Sequence, residues 1–198
     1  QISYNHIHDL YGSDQSLNHT DMIQIWSTGA LINTKNVDIS NNIFDSGNGA
    51  AAQGIFIGNE WFDKFGHYEN ISIDNNIIHT GQPLGILLSS TDGASVTNNT
   101  VLWNQDSATI SDANPDGQSF APKIALGNNL NSTVTGNIAW RVVDEGKIVY
   151  KDNYAISVDN QGSPNYYKKH FGDGAGSSLA APEDLFVQED SPLYGLVG

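Results

Sequence analysis

Six segments of the chain share one short pattern, and this repeat constrains the possible fold more than any other feature. Each copy has an apolar–polar–apolar strand, then a polar residue, an asparagine and a second apolar stretch. Four copies match best, and a fifth and a weaker sixth lie outside them: VDISNNIFDSG (37–47), ISIDNNIIHTG (71–81), ASVTNNTVLWN (94–104), STVTGNIAW (132–140), ISYNHIHD (2–9) and VYKDNYAI (149–156). The asparagines that align in these copies are Asn5, Asn42, Asn76, Asn99, Asn137 and Asn153.

A second type of strand lies between these copies. Its members are MIQIWS (22–27), GIFIGN (54–59), GILLSS (85–90) and KIALGN (123–128). They align in two apolar columns, one of Ile23, Ile55, Ile86 and Ile124, the other of Ile25, Ile57, Leu88 and Leu126. One coil cannot bury its apolar strip alone, whereas stacked coils share a continuous core. The two strand types therefore predict a solenoid of parallel sheets, with insertions of uneven length in its turns.

The aligned asparagines have a physical role in such a solenoid. Amides at the same turn of successive coils can bond to one another in a ladder, and asparagine also tolerates the left-handed conformation of tight turns. A β-sandwich is the alternative, but it predicts regular hairpin turns and no matched asparagines. The many Asn, Gly and β-branched residues suit either all-β fold. The ladder pattern favours the solenoid.

Composition limits the partners of the chain. Its 198 residues suffice for a domain with its own core, and 8 Lys and Arg against 22 Asp and Glu give a net charge of −14. Such a surface repels nucleic acids and anionic membranes, so we expect neither as a partner. The absence of cysteine rules out disulfides and thiolate metal sites. Because the opening residues already read as a repeat copy, we expect further coils upstream.

The asparagine ladder and the aliphatic columns resemble those of the right-handed parallel β-helix in the pectin-lyase-like superfamily. The resemblance covers roughly residues 1–156 and implies about five to six coils, with residues 1–161 as the β-helix. Residues 162–198 break the pattern, and we expect them to form an irregular C-terminal cap over the last coil. The superfamily contains polysaccharide lyases, uronan epimerases, glycoside hydrolases and phage tailspikes. The resemblance therefore implies a polysaccharide groove along one sheet, and an extracellular location or one on a phage virion.

The hydrolase branch of the superfamily matches this chain poorly. Polygalacturonase-like members carry Asn-Thr-Asp where this chain has His19-Thr20-Asp21. They then carry two adjacent acids where this chain has Ala52-Gln53, and Gly-His-Gly where it has Gln-Pro-Leu-Gly (82–85). Inverting hydrolysis needs two carboxyl groups about 6.5–9.5 Å apart. A hydrolase would have to pair Asp21 with Glu60, and we keep this as an alternative.

Action on an acidic polysaccharide such as alginate or pectate, by β-elimination or C5-epimerisation, is the leading prediction. The reaction needs a base for the proton beside the carboxylate, a group that neutralises this carboxylate, and a proton donor for the leaving oxygen. The polysaccharide would be held by aromatic side chains, which stack on sugar faces, and by basic residues, which bind carboxylates. The candidate catalytic residues are Asp21, His19, His67, Tyr68 and Glu60. The candidate substrate-binding residues are Gln24, Gln53, Asn59, Trp61, Lys123 and Arg141.

Plainer roles compete with these assignments. Asp21 and His19 are also typical turn residues, and the loop NEWFDKFGHYEN (59–70) could pack against another chain. Glu60 and Asp63 offer oxygen ligands for a structural Ca²⁺, which is the one cofactor suggested by the sequence. A non-catalytic tailspike or adhesin that binds glycan, with assembly as a homotrimer, is the remaining alternative.

Overall fold

The computed structural model describes residues 1–10, 20–27, 33–48, 52–58, 68–107, 121–145 and 148–195. In these ranges the chain forms short β-strands and two 3-10 helices, Tyr167–Lys169 and Pro182–Leu185. No helix of this part is long and apolar enough to cross a membrane. The strands in chain order are β1 (Ile2–Ser3), β2 (His6–His8), β3 (Thr20–Trp26), β4 (Thr34–Ser40), β5 (Ile43–Asp45), β6 (Ala52–Gly58), β7 (Tyr68–Asp74), β8 (Ile77–Thr80), β9 (Leu84–Ser89), β10 (Thr91–Asp92), β11 (Ser95–Thr97), β12 (Thr100–Trp103), β13 (Lys123–Gly127), β14 (Ser132–Thr135), β15 (Ile138–Ala139), β16 (Val142–Glu145), β17 (Ile148–Lys151) and β18 (Tyr154–Ala155).

The strands form three parallel sheets. The first sheet has the order β1-β4-β7-β11-β14-β17, with β10 also paired to β7; the second has the order β2-β5-β8-β12-β15-β18, and the third β3-β6-β9-β13-β16. The chain visits the first, second and third sheets in turn, so neighbouring strands within a sheet come from successive windings. Every strand pairing in the described part is parallel, which excludes the hairpins of a sandwich there.

The two aliphatic columns expected from the sequence are confirmed in the third sheet. Ile23 pairs with Ile55, Ile55 with Ile86, and Ile86 with Ile124. The second column is in register in the same way, from Ile25 to Leu126. Members of both columns pack into the main core, together with side chains of the first and second sheets. Equivalent aliphatic side chains stack on one another because the parallel register places the same positions of successive windings side by side.

The asparagine ladder is also confirmed, and it runs through all six aligned positions. Each asparagine except the last donates its backbone N–H and its Nδ2 to Oδ1 of the asparagine in the next winding: Asn5 to Asn42, Asn42 to Asn76, Asn76 to Asn99, Asn99 to Asn137 and Asn137 to Asn153, all at 2.8–3.0 Å. The left-handed conformation belongs instead to the residue before each ladder asparagine. Asn41, Asn75 and Asn98 have φ of 57°, 54° and 54°.

The C-terminal segment packs along the side of the second sheet. Alternate residues of this sheet face two different clusters, with Ile78 in the main core and Ile77 in a second cluster that includes Tyr167, Phe171 and Leu185 of the tail. Two consecutive turn residues tie the tail to the middle of the sheet: the Gln105 backbone N–H donates to the Gly176 carbonyl at 2.9 Å, and Asp106 Oδ2 accepts from Ser177 Oγ at 2.9 Å. The cap that we expect from the sequence over the last coil stays a prediction.

Candidate functional site

The third sheet brings together five of the residues selected from the sequence. Asp21 and Gln24 lie in β3, Gln53 lies in β6, Lys123 begins β13, and Arg141 immediately precedes β16. Four windings of the chain thus contribute a candidate residue to or beside one sheet. This is the arrangement that a ligand lying across the strands would need, because parallel strands place successive windings about 4.8 Å apart.

Asp21 stands directly opposite Gln53 in the parallel register of β3 and β6. The side chain before Gln53, Ala52, is buried, and a Cβ on Gly54 would lie 2.6 Å from Ile78 Cγ2 in the core. Side chains alternate along a strand, so Gln53, between these two inward positions, lies on the outer side of the sheet. The alternation is interrupted after Gly54, because Ile55 also packs in the core and the register of β3 with β6 passes from Gln53 directly to Ile55. Its Oε1 is shielded from solvent and has no hydrogen-bond partner among the described residues. A carboxylate and an amide are therefore neighbours at this point of the outer face.

The outer face also carries an apolar and aromatic surface that the sequence analysis missed. Trp26 is 46% exposed, and the ring of Phe56 lies 3.3 Å from where a Cβ on Gly58 would stand. Gln24 pairs with Phe56, and Leu87 and Ala125 continue this row across the sheet. The signal was present in MIQIWS, since Gln24 and Trp26 alternate with Ile23 and Ile25, which begin the two aliphatic columns.

Two basic side chains lie toward the other end of the same sheet. Lys123 pairs with Leu84 and is half-buried, while Arg141 is exposed and its carbonyl accepts the Ile124 N–H at 3.0 Å. Neither forms an ion pair within the described part of the chain. From β3 to β13 there are three strand steps, or about 14 Å. The acidic end and the basic end of the face are thus separated by a distance that an extended polymer, but not one small group, can span.

Tyr68 is placed differently from the expectation. It is only 2% exposed and belongs to the main core at the start of β7. Its hydroxyl donates to the Gly58 carbonyl at 2.6 Å and lies 3.1 Å from Ser27 Oγ. This buried, bonded position favours a packing role for Tyr68 over proton transfer to a substrate. The remaining candidates lie outside the described residues: His19, Asn59, Glu60, Trp61, Asp63 and His67.

The chain gives no match to any protein-family model, curated protein or solved structure.

Within the described ranges there is no group of three or more His, Asp or Glu side chains that could hold a metal ion. His8 and Asp9 form an exposed pair, with His8 Nδ1 2.9 Å from Asp9 Oδ2. This hydrogen bond is the main reason that the pKa of Asp9 lies below its usual value. The Ca²⁺ site at Glu60 and Asp63 stays a prediction.

A buried histidine–aspartate pair was not found from the sequence. His79 is 0% exposed, and its Nδ1 lies 2.8 Å from Asp45 Oδ1, which also accepts the Gly47 N–H at 2.9 Å. The two residues are register partners in β5 and β8 of the second sheet. The repeat alignment of IFDSG with IIHTG contained the signal, because it places Asp45 opposite His79. The pair is buried and lies in a different sheet from Asp21, so it is not part of the candidate site.

Proposed function

We propose that the chain is a right-handed parallel β-helix of the pectin-lyase-like type, with six coils marked by the six ladder asparagines. The cyclic visits to three parallel sheets support this assignment, as do the asparagine ladder and the aliphatic columns. In this proposal the third sheet forms the floor of the polysaccharide groove, because its outer side carries the candidate residues.

We further propose that this outer face binds an extracellular acidic polysaccharide and processes it by β-elimination or C5-epimerisation. The observation that carries the proposal is the joint placement of Asp21 opposite Gln53 with Lys123 and Arg141 toward the other end of the same sheet. The basic residues would bind carboxylates of the polymer, and the exposed ring of Trp26 would stack on a sugar face. The distance between the two ends suits a chain of several sugar units.

The proposed chemistry begins at Asp21. Its carboxylate takes the proton from C5 of a uronate unit, and the Gln53 side-chain amide donates a hydrogen bond to the carboxylate as negative charge develops there. In β-elimination the C4–O4 bond then breaks, a C4–C5 double bond forms, and the departing oxygen takes up a proton from solvent water. In epimerisation a proton from solvent water is added to C5 from the opposite face, Asp21 releases its own proton to solvent, and no bond of the polymer backbone breaks.

The experiment is incubation of the protein with alginate and with polygalacturonate in D₂O, with and without Ca²⁺. Ultraviolet absorbance of the unsaturated product reports elimination, and deuterium at C5 in the NMR spectrum of the polymer reports epimerisation. We expect Asp21→Asn to lower the rate by more than about tenfold, because the amide is not a base. Asp38→Asn is the matched control, since Asp38 lies in β4 of the first sheet and should leave the rate unchanged. An unaltered polymer by both readouts, for every uronan tried, would contradict the proposed catalysis.

Binding without turnover is the second candidate, and the exposed Trp26 on an apolar face is the observation that favours it. A tailspike-like or adhesin module would hold the same polysaccharide, assemble as a homotrimer and leave the polymer intact. New reducing ends without ultraviolet absorbance would instead indicate the hydrolase alternative. The binding module is distinguished from both enzymes by co-sedimentation with a polymer whose length and C5 configuration stay unchanged, and by sedimentation of the free protein as a trimer.

A further inference from the structure

A cavity of about 530 Å³ lies between the second sheet and the C-terminal segment, away from the candidate site. Residues of β8 and β12 form one side, and the tail forms the other: Ile77, Thr100, Leu185, Phe186, Val187, Glu189, Tyr194 and Gly195. The size falls within the range of about 300–1,000 Å³ that is usual for small-molecule sites. No part of the proposed polysaccharide function uses this cavity.

The inner walls of the cavity are apolar. Ile77 and Leu185 are buried side chains of the second cluster, and Val187 packs against that cluster. Thr100 is also buried, and it adds one hydroxyl to the otherwise aliphatic floor. A ligand that enters would therefore place an apolar body against these walls, since a polar group there would lose its hydration.

The rim has a different chemistry, because it combines two aromatic rings with a carboxylate. Phe186 is 51% exposed and Tyr194 is 55% exposed, so both rings are open to a ligand at the surface. Glu189 is also exposed, and it lies between these two aromatic residues in the sequence. Among the described residues, those that line the cavity include no Lys or Arg. Aromatic faces and a carboxylate both attract cations, and the net charge of −14 strengthens that preference.

We propose that this cavity binds a ligand with an ammonium group on a compact body that has an apolar face. The ammonium lies at the rim between the rings of Phe186 and Tyr194 and the carboxylate of Glu189, and the apolar face of the body lies against Ile77 and Leu185. The charge complementarity excludes the acidic polysaccharide from this site. Such an ammonium group has two natural sources, an amino-sugar unit of a glycan and a free quaternary amine.

The proposal is tested by calorimetric titration of the full chain with two matched pairs of probes. Choline is compared with 3,3-dimethyl-1-butanol, in which a carbon replaces the charged nitrogen, and glucosamine is compared with glucose. We expect saturable binding of at least one cation, and at least about tenfold weaker binding of its neutral counterpart. Tighter binding of choline indicates a free amine as the source, and tighter binding of glucosamine indicates an amino sugar. Added NaCl should weaken the binding of either cation, because it screens the exposed Glu189.

Glu189→Gln keeps the shape of the rim and removes its charge, so we expect about tenfold weaker binding of the cation. Phe186→Ala should weaken it as well, while Glu183→Gln is the control, because Glu183 is exposed on the same tail but does not line the cavity. The thermal unfolding midpoints of the three variants should stay close to that of the unsubstituted chain, since all three side chains are exposed. Equal affinity for a cation and its neutral counterpart, no effect of Glu189→Gln, or no saturable binding of either cation would overturn the proposal. None of these outcomes depends on the third sheet.

Discussion

Asn76 Nδ2 donates to Oδ1 of Asn99 over 2.9 Å, although 23 residues separate the two in sequence. The backbone N–H of Asn76 donates to the same oxygen at 3.0 Å, and both side chains are almost fully buried. One acceptor on Asn99 therefore satisfies two buried donors of the preceding winding. The contact is repeated along the ladder, so each asparagine fixes the position of the winding before it.

We expect Asn99→Ala to lower the free energy of unfolding by about 2–4 kcal/mol, because two buried donors of Asn76 lose their acceptor. Urea unfolding measures the change. Asn5→Ala is the matched control at the exposed end of the ladder, where the loss should be below about 1 kcal/mol. Equal losses in the two variants would show that the buried part of the ladder has no special role in stability.

The ladder and the aliphatic columns could be predicted from the sequence because each coil repeats the same pattern of apolar and asparagine positions. Asn42, Asn76 and Asn99 occupy equivalent positions and make equivalent bonds, so alignment alone revealed them. The path of the tail could not be predicted in this way. Its contacts, such as that of Gln105 Nε2 with the Tyr167 hydroxyl at 3.0 Å, join segments with no shared pattern.

The candidate site was predictable in part for a related reason. Asp21 and Gln53 come directly before two of the aligned strand segments and Lys123 begins a third, so the repeat placed them on one sheet. Tyr68 was grouped with the loop before it, because composition does not show where an insertion ends and the next strand begins. Trp26 was overlooked because the alternation was used to find the core and not the opposite face.

Gly54 and Gly127 both lie in strands of the third sheet, but their surroundings differ. A Cβ on Gly54 would stand 2.1 Å from the Gly85 carbonyl oxygen, whereas a Cβ on Gly127 would meet nothing within 4 Å. We expect Gly54→Ala to destabilise the fold by at least about 2 kcal/mol, because the neighbouring backbone must move. Gly127→Ala should be neutral or stabilising by up to about 1 kcal/mol, because it restricts the unfolded chain. Thermal unfolding of both variants tests this, and similar midpoints would contradict the close backbone approach at Gly54.

Burial raises the pKa of Tyr167 from 10.0 to about 12. The neutral phenol is therefore favoured in the folded state, and its contribution to stability is fully present below about pH 10 and lost as the pH rises to about 12. We expect the free energy of unfolding to fall by at least about 1 kcal/mol across this window. Urea unfolding at several alkaline pH values gives the slope.

Tyr167→Phe should flatten this alkaline slope, because the variant has no proton to lose at that position. It should also lower stability at neutral pH by about 1 kcal/mol, since Gln105 loses its partner. Tyr4→Phe is the control: Tyr4 is largely exposed, so the slope should stay as in the unsubstituted chain. An unchanged slope in Tyr167→Phe would mean that other groups determine the alkaline transition.

The two basic residues of the third sheet give a prediction that separates binding from chemistry. If Lys123 and Arg141 hold carboxylates of the polymer away from the reacting unit, Lys123→Gln and Arg141→Gln should raise KM by about three- to tenfold. They should leave kcat within about twofold, because the lost contacts are the same in the ground state and the transition state. Kinetics on polyuronates of several lengths measure both constants, and fragments too short to span the sheet should show no effect of Lys123→Gln.

Lys151→Gln provides the matched control for charge, since Lys151 is exposed in the first sheet and its Nζ lies 3.3 Å from Asp152 Oδ2. Loss of any positive charge from a chain of net charge −14 increases the general repulsion of a polyanion, and this control measures that effect alone. Added salt should reduce the difference between Lys123→Gln and the unsubstituted chain, because it screens the contact. If Lys151→Gln raises KM as much as Lys123→Gln does, the third sheet has no specific carboxylate site at β13. The polymer would then be held by another face of the molecule.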